Sequence, residues 1–384
     1  MNEKEIIAKY HIEDCTRCKN ECASACPVYR HYGTNTPQQL AKKFLAGGEG
    51  AAHDHKLVWT CVTCAACTEA CPFKVAFADF IRELRAGRTD YHSVFGGIIH
   101  QYQRTQALGP QKGAKGAAPA SKARLSWLDA SSRVGKEGET ALFTGCLALF
   151  DAVSGPSCEQ GFGDMARSAV RLLNALGVSP VIIDDERCCG RDLYDLGERE
   201  AFMALAGHNV EEIVKSKART LLTICPECAF TLKDTYVKEL GPQAFEVRHI
   251  TEFVAENLEA LGFRRGDEKL AFHDPCYLCR RLGESEAPRK MLERLSVAKP
   301  VELERRGRSA PCCGAGSWVD HGPHTRTAVS ERLMEAHRCG ADTLVTACPK
   351  CTLLYHEVSP GCSWKLSPVA VRDLITLAAS RLEE

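Results

Sequence analysis

The chain has 384 residues, enough for two or three domains with buried cores of their own. Its 49 basic and 49 acidic residues cancel, which speaks against a chain-wide pull toward nucleic acid or an anionic membrane. No apolar run approaches the ~18 residues of a membrane span, and the polar start Met1-Asn2-Glu3-Lys4-Glu5 does not read as a signal peptide. A cytoplasmic protein is expected, reaching a membrane only through a partner.

The 22 cysteines set the chemistry. Outside a secretory context, closely spaced cysteines point to thiolates on a soft metal rather than to disulfides. A zinc ribbon needs two Cys-x-x-Cys pairs and a spacer. The patterns below carry a third cysteine inside each run and close on Cys-Pro, which favours iron–sulfur.

In chain order, the first run is Cys15-x2-Cys18-x3-Cys22-x3-Cys26-Pro27, and the second is Cys61-x2-Cys64-x2-Cys67-x3-Cys71-Pro72. The second is the bacterial two-cluster ferredoxin pattern, in which the fourth cysteine reaches across to the neighbouring cluster. The spacing predicts one [4Fe-4S] cubane on Cys15, Cys18, Cys22 and Cys71, and another on Cys61, Cys64, Cys67 and Cys26. One extra residue precedes Cys22, which leaves that loop's geometry open. Helices are predicted from Pro37 to Leu45, ending at Gly47-Gly48, and from Phe77 to Arg85, stopping near Gly87. They would shield the clusters from water.

From about Gln106 to Glu139 the composition shifts to Gly109-Pro110, Gly113-Ala114-Lys115-Gly116 and Ala118-Pro119-Ala120-Ser121, which reads as a linker. Trp127 is its candidate docking point. Lys112, Lys115, Lys122 and Arg124 give it positive charge, expected to be solvated rather than to hold a partner.

From about Thr140 a unit repeats. Cys146, Cys188, Cys189, Cys225 and Cys228 in the first copy answer Cys276, Cys312, Cys313, Cys348 and Cys351 in the second. Cys188 and Cys312 are 124 positions apart, and Cys225 and Cys348 are 123 apart. Strands are predicted at Ala141 to Thr144, Val181 to Ile183, Thr220 to Ile224 and Phe245 to His249. A helix carries Met165, Ala169, Leu173 and Leu176, a second runs from Glu200 to Lys215, and a third, capped by Thr251, ends at Gly262. In the second copy, strands fall at Leu270 to Phe272, near Val301, and at Thr343 to Thr346. Helices fall at Pro288 to Leu295 and Thr325 to Arg338. A last helix is expected with Ser367 at its cap, Pro368 at its first position, and Val371, Leu374, Ile375 and Ala378 on one face. Alternating strands and helices predict parallel sheets, with the motif cysteines in loops past the strand ends, each set of five converging on one crevice. Five thiolates exceed what a cubane needs. The residues alone allow an unusual cluster or a cubane with a spare thiol.

These doublets, each with its upstream cysteine and its downstream Cys-Pro-x-Cys, resemble the cysteine-rich CCG domain of the heterodisulfide reductases. The whole chain resembles a fused form of two of their components, in which a small ferredoxin-like component is joined to a CCG-bearing one, as in the D-type subunit. The resemblance implies an α+β and α/β architecture: a helical two-cluster ferredoxin-like domain (1–105), a linker (106–139) and two CCG domains (140–264 and 265–384). It implies a noncubane [4Fe-4S] cluster on each set of five, hence two cubane and two noncubane clusters on 18 cysteines. Cys158, Cys279, Cys339 and Cys362 are left as structural thiols, with Cys279 notable for lying three residues past Cys276.

The implied function is an iron–sulfur electron-transfer subunit of an anaerobic oxidoreductase complex. Electrons would pass from a flavoprotein partner through the cubanes to noncubane clusters that reduce a disulfide. The alternative is a pure relay without its own substrate, serving a benzoyl-coenzyme A reductase type complex or a glycerol-3-phosphate, glycolate or lactate dehydrogenase type complex. No glycine-rich nucleotide fingerprint follows a strand, so flavin and NAD are assigned to partners. His273, in His273-Asp274-Pro275, is a candidate proton donor against a structural turn. Arg280, Arg281, Arg305, Arg306 and Arg308 are candidates for orienting an anion, against a solvated face.

Overall fold

The computed structural model describes residues 2–33, 35–53, 55–88, 93–109, 124–154, 161–359 and 369–383. The N-terminal unit is helical. Helix Glu3–Tyr10 starts on a capping box, with Asn2 accepting from the Glu5 amide and Glu5 accepting from the Asn2 amide. Helix Pro37–His53 breaks at the expected Gly47-Gly48 pair, where both residues leave helical backbone (Gly48 φ 65°), and a short helical segment continues beyond it to His53. Helix Phe77–Arg85 has the predicted bounds. Phe44 and Phe80 meet edge to face at 5.0 Å in a core that also buries Cys15 and Cys26.

The next helix, Val94–Leu108, is absent from the sequence reading. Ser93 caps it by accepting from the Gly96 amide. It buries Ile99, His100 and Gln103 against the cysteine-rich region rather than the N-terminal core. The boundary expected at residues 105/106 therefore falls inside its last turn. Lys112, Lys115 and Lys122 lie outside the described residues. Arg124 corrects the solvated-linker expectation. It is buried, donates to the Asp184 carbonyl at 2.8 Å and to the Ile183 carbonyl, and lies 3.6 Å from Glu186. Trp127 is buried as anticipated.

The first repeat is a four-stranded parallel sheet of order β2-β1-β3-β4, with β1 Thr140–Phe143, β2 Val181–Ile182, β3 Thr220–Thr223 and β4 Glu246–His249. The second is a three-stranded parallel sheet of order β5-β6-β7, with β5 Leu270–His273, β6 Thr343–Thr346 and β7 Ala370–Asp373. The strand expected near Val301 shrinks to one parallel bridge, to Ala271, in the place β2 holds in the first copy. The last helix is also corrected. Ser367 and Pro368 lie outside the described residues, Val371 belongs to β7, and the helix runs Leu374–Ser380 with Asp373 as its cap. Asp373 Oδ1 accepts from the Ile375 and Thr376 amides, both at 3.0 Å. The first copy uses the same device. His249, at the end of β4, caps helix Ile250–Glu256 in place of Thr251, and that helix stops short of Gly262.

Helix Phe162–Ala175 of the first copy packs on Leu374–Ser380 of the second, so the two copies share one apolar core. The N-terminal unit seats on both. A Cβ on Gly197 would lie 2.6 Å from the Ala86 Cα, and one on Gly316 would lie 1.9 Å from the Val62 carbonyl oxygen. Asp195 ties the three together: it accepts from Thr63 Oγ1 (2.8 Å), Ser317 Oγ (3.1 Å) and the Tyr277 hydroxyl (3.4 Å), and it pairs with Arg191. Burial opposes its charge, but Arg191 holds its carboxyl below the ordinary range.

Candidate iron–sulfur sites

The two N-terminal runs interleave. One small cavity is lined by Cys15, Cys18, Cys22 and Cys71 together with Cys67; its neighbour is lined by Cys26, Cys61, Cys64 and Cys67. The fourth cysteine of each run thus sits with the other run's three, and Cys67 stands between the two groups. The extra residue before Cys22 is absorbed by Asn20, which adopts a left-handed conformation (φ 68°) and places its Oδ1 3.4 Å from Cys22 Sγ. Gln38 Nε2 donates to Cys18 Sγ at 3.2 Å. Burial pushes the Cys15 and Cys26 thiols up to about 12 and those of Cys22 and Cys61 up to about 11.

In the first cysteine-rich unit, one cavity is lined by all five motif cysteines, Cys146, Cys188, Cys189, Cys225 and Cys228. Cys146 and Cys188 sulfurs are 3.2 Å apart. In the second unit, Cys276 and Cys312 are 3.8 Å apart and Cys313 and Cys351 are 3.2 Å apart, with Cys348 in hydrogen-bond contact with Cys351. Both doublets have the same local geometry. Gly190 (φ 80°) and Gly314 (φ 98°) take the left-handed turn that suits glycine, and the amide of each points at the first sulfur of its doublet, Cys188 or Cys312, at 3.4 Å. The groups are in contact with one another. Cys64 of the N-terminal unit meets Cys312, and Cys225 of the first cysteine-rich unit meets Cys348 of the second.

The donor chemistry fits iron–sulfur clusters. Eighteen thiols fall into four sets; neighbouring thiols and burial raise most of them, whereas hydrogen bonds from adjacent cysteines lower Cys64, Cys225 and Cys313. Among the described residues, no three converge as ligands of a single ion. Arg280 is a buried guanidinium whose charge bears on Cys64, Cys276 and Cys312, and its Nη2 has no hydrogen-bond partner. A cation with an unfilled N–H beside a thiol set suits an anionic group there.

His273 is fully buried with Nδ1 3.1 Å from the Tyr355 hydroxyl, and burial, with help from Arg332, drives its pKa well below the usual range. It is neutral in the fold and closes strand β5 rather than lying in a turn. Asp274 anchors Arg289 at 2.8 Å and the Gly307 amide at 2.9 Å. Of the arginines, Arg306 and Arg308 are exposed as the solvated-face expectation has it, Arg281 and Arg305 are partly buried, and Arg280 is buried. Arg280 donates to the carbonyls of Cys64 (2.9 Å), Ala310 (2.5 Å) and Arg308 (3.2 Å). Arg281 lies over Phe230, Arg305 pairs with Glu335, Arg306 with Glu302, and Arg308 with Glu69 across the two units. Cys279 is buried near the Asp274 carbonyl, its thiol pushed up to about 12 by burial. Cys339 ends helix Pro323–Arg338. Cys158 and Cys362 lie outside the described residues.

A cleft of about 450 Å³ opens between the N-terminal unit and the second cysteine-rich unit. Arg30, His31 and Glu69 line one wall; Arg305, Arg308 and Cys312 line the other. Three residues at the sites escaped the sequence reading. Gln103 donates to Cys188 Sγ at 3.3 Å and to Asp192 at 2.8 Å, and no motif announces it. Glu227 and Lys350 share the variable position of Cys-Pro-x-Cys, and their opposite charges were visible by setting the two copies side by side.

Residues 11–75 match the 4Fe-4S dicluster domain, and residues 140–233 and 270–354 each match the cysteine-rich domain CCG. The fold and sites thus define an iron–sulfur protein of dicluster plus doubled cysteine-rich organisation. The chain is like the D-type subunit of the heterodisulfide reductases. It is 28% identical to that subunit of the dihydromethanophenazine:CoB–CoM heterodisulfide reductase of Methanosarcina barkeri, over 97% of this chain and 94% of that one. It is 25% identical to the EtfAB:quinone oxidoreductase of Syntrophomonas wolfei over 88% of its own length and 54% of that protein's. A crystal structure of a hypothetical protein from Helicobacter pylori superposes with a TM-score of 0.53 at 12% identity, covering 100% of this chain and 77% of that one, a likeness of fold. Among the described residues, no helix is long and apolar enough to cross a membrane.

Proposed function

We propose that this chain is the iron–sulfur subunit of an oxidoreductase complex that carries electrons from a flavoprotein partner to a disulfide. The division into a ferredoxin-like domain, a linker and two cysteine-rich domains is part of this reading, as is a cytoplasmic location. Two cubane clusters would occupy Cys15, Cys18, Cys22, Cys71 and Cys61, Cys64, Cys67, Cys26. Two noncubane clusters would occupy Cys146, Cys188, Cys189, Cys225, Cys228 and Cys276, Cys312, Cys313, Cys348, Cys351. When bound, such clusters supply one-electron redox chemistry.

The observation that carries this reading is the unbroken succession of thiol sets. Cys67 stands between the N-terminal pair, Cys64 meets Cys312, and Cys225 meets Cys348. The chain's own residues hold that succession in register: Arg280 ties the Cys64 loop to Ala310, and Arg85 donates to the Cys61 carbonyl at 2.6 Å. The cleft at Cys312 supplies a route for an outside reactant, and its arginines suit a substrate carrying anionic groups. A disulfide takes up two electrons and two protons to give two thiols. The burial of Cys312, at 2% exposed, favours a second reading, a relay that passes electrons to another protein or to a quinone.

The test is single-turnover titration of the reduced, anaerobically purified chain with low-molecular-weight disulfides bearing anionic groups. One disulfide consumed and two thiols released per two electrons is expected. Reoxidation by a quinone but by no disulfide would replace this reading with the relay.

A further inference from the structure

The variable residue of each Cys-Pro-x-Cys segment faces the other unit. Glu227 stands between Pro226 and Cys228, and Lys350 between Pro349 and Cys351. Lys350 Nζ lies 2.6 Å from Glu227 Oε2 and 2.5 Å from Asp192 Oδ1. Lys350, Glu227 and Asp192 are 4%, 5% and 2% exposed. Asp192 is held from its other oxygen by Gln103, at 2.8 Å. Pro349 and Lys350 belong to the second unit, yet they line the first unit's cavity beside its five cysteines. The Lys350 charge bears on Cys146 and Cys225 of the first site and on Cys313 of the second.

Stability alone does not account for this triad. Replacing a buried ion pair by well-packed apolar residues is often neutral or stabilising. A cation placed within reach of a site whose occupant gains negative charge on reduction has a direct electrostatic consequence, because the low-dielectric interior screens it weakly. We propose that Lys350 is a positioning residue that the second unit lends to the first, its ammonium fixing the charge beside the first unit's cysteine site and so setting the reduction potential there. This rests on the reading that both cysteine-rich units hold iron–sulfur clusters. Lys350 favours the reduced state, while Glu227 and Asp192 moderate its effect and hold it in place.

The test is potentiometric titration of the full chain, followed by electron paramagnetic resonance at one fixed pH, on wild type, Glu227→Gln and Glu227→Gln/Lys350→Gln. With Gln at 227, Asp192 is the carboxylate left beside Lys350. Adding Lys350→Gln to Glu227→Gln is expected to lower the midpoint of the first unit's signal below that of Glu227→Gln and below wild type. The two N-terminal clusters are expected to keep their midpoints, a distinction that general loosening of the fold would not produce. Wild-type chain lacking the iron for the cysteine-rich units contradicts the functional reading itself. Full iron with both variants at the wild-type midpoint overturns the role of Lys350 alone. Should the double variant lose iron, Glu227→Gln/Lys350→Met decides, and an unshifted midpoint in it overturns the role.

Discussion

His100 sits on helix Val94–Leu108 with its Nε2 2.9 Å from the Ser317 carbonyl, so that helix and the second cysteine-rich unit meet at an imidazole. Burial lowers its pKa to about 4, and burial does the same to His55 and His249. Each is neutral in the folded chain and binds a proton near pH 6.5 once unfolded. The folded state therefore holds fewer protons between those values. The stability these groups confer is complete above about pH 6.5 and is lost as pH falls toward 4. For His100 the loss is on the order of 3 kcal/mol. Melting His100→Gln against pH should give a curve that falls less steeply below pH 6 than that of wild type; equal slopes would mean that His100 is protonated in the fold. Arg280 shows the opposite behaviour of a buried group. It keeps its charge because three carbonyls and a thiol set surround it.

At the scale of elements, each N-terminal loop completes its neighbour. Cys26→Ser should therefore remove the same spectroscopic signal as Cys61→Ser, and Cys71→Ser the same signal as Cys15→Ser, each with a loss of up to about four irons per chain. If Cys26→Ser instead paired with Cys15→Ser, each run would be holding its own cluster. The crossing pattern was legible because the Cys-x-x-Cys-x-x-Cys-x3-Cys-Pro spacing fixes loop geometry. So were the strands, which are short apolar runs ending at motif cysteines, as in Thr343–Thr346 before Cys348. Helix Val94–Leu108 was not. Its apolar residues are interrupted by Gly96, Gly97, Gln101, Gln103 and Gln106, and what it buries against the cysteine-rich units is partly polar. Strand β7 was missed because Ser367-Pro368 imitates a helix start, whereas the cap is Asp373, after a strand with alternating burial. Val301 kept one bridge of a strand, a contraction no local pattern signals.

At the scale of the whole molecule, two glycines and Asp195 determine how the N-terminal unit sits on the other two. Gly316 has no room for a side chain: a Cβ would lie 1.9 Å from the Val62 carbonyl oxygen, in the loop between Cys61 and Cys64. Gly316→Ala must push these loops apart. Overpacking of this kind typically costs about 1–3 kcal/mol, and the Cys64–Cys312 contact would open with it. The expected outcome is a chain that retains its N-terminal clusters but passes electrons to the cysteine-rich units more slowly, read by rapid-freeze electron paramagnetic resonance after reduction. Transfer at the wild-type rate would show that the Cys64–Cys312 approach does not govern the route.

One chain is proposed to hold four iron–sulfur sites in contact, two of them built from five cysteines. Metal analysis of the anaerobically purified chain, with electron paramagnetic resonance on the same sample, tests it most directly. About sixteen irons per chain, little zinc, and signals beyond those of ordinary cubanes are expected. About eight irons with cubane signals alone would contradict it, leaving the ten cysteines of the repeated units without their clusters.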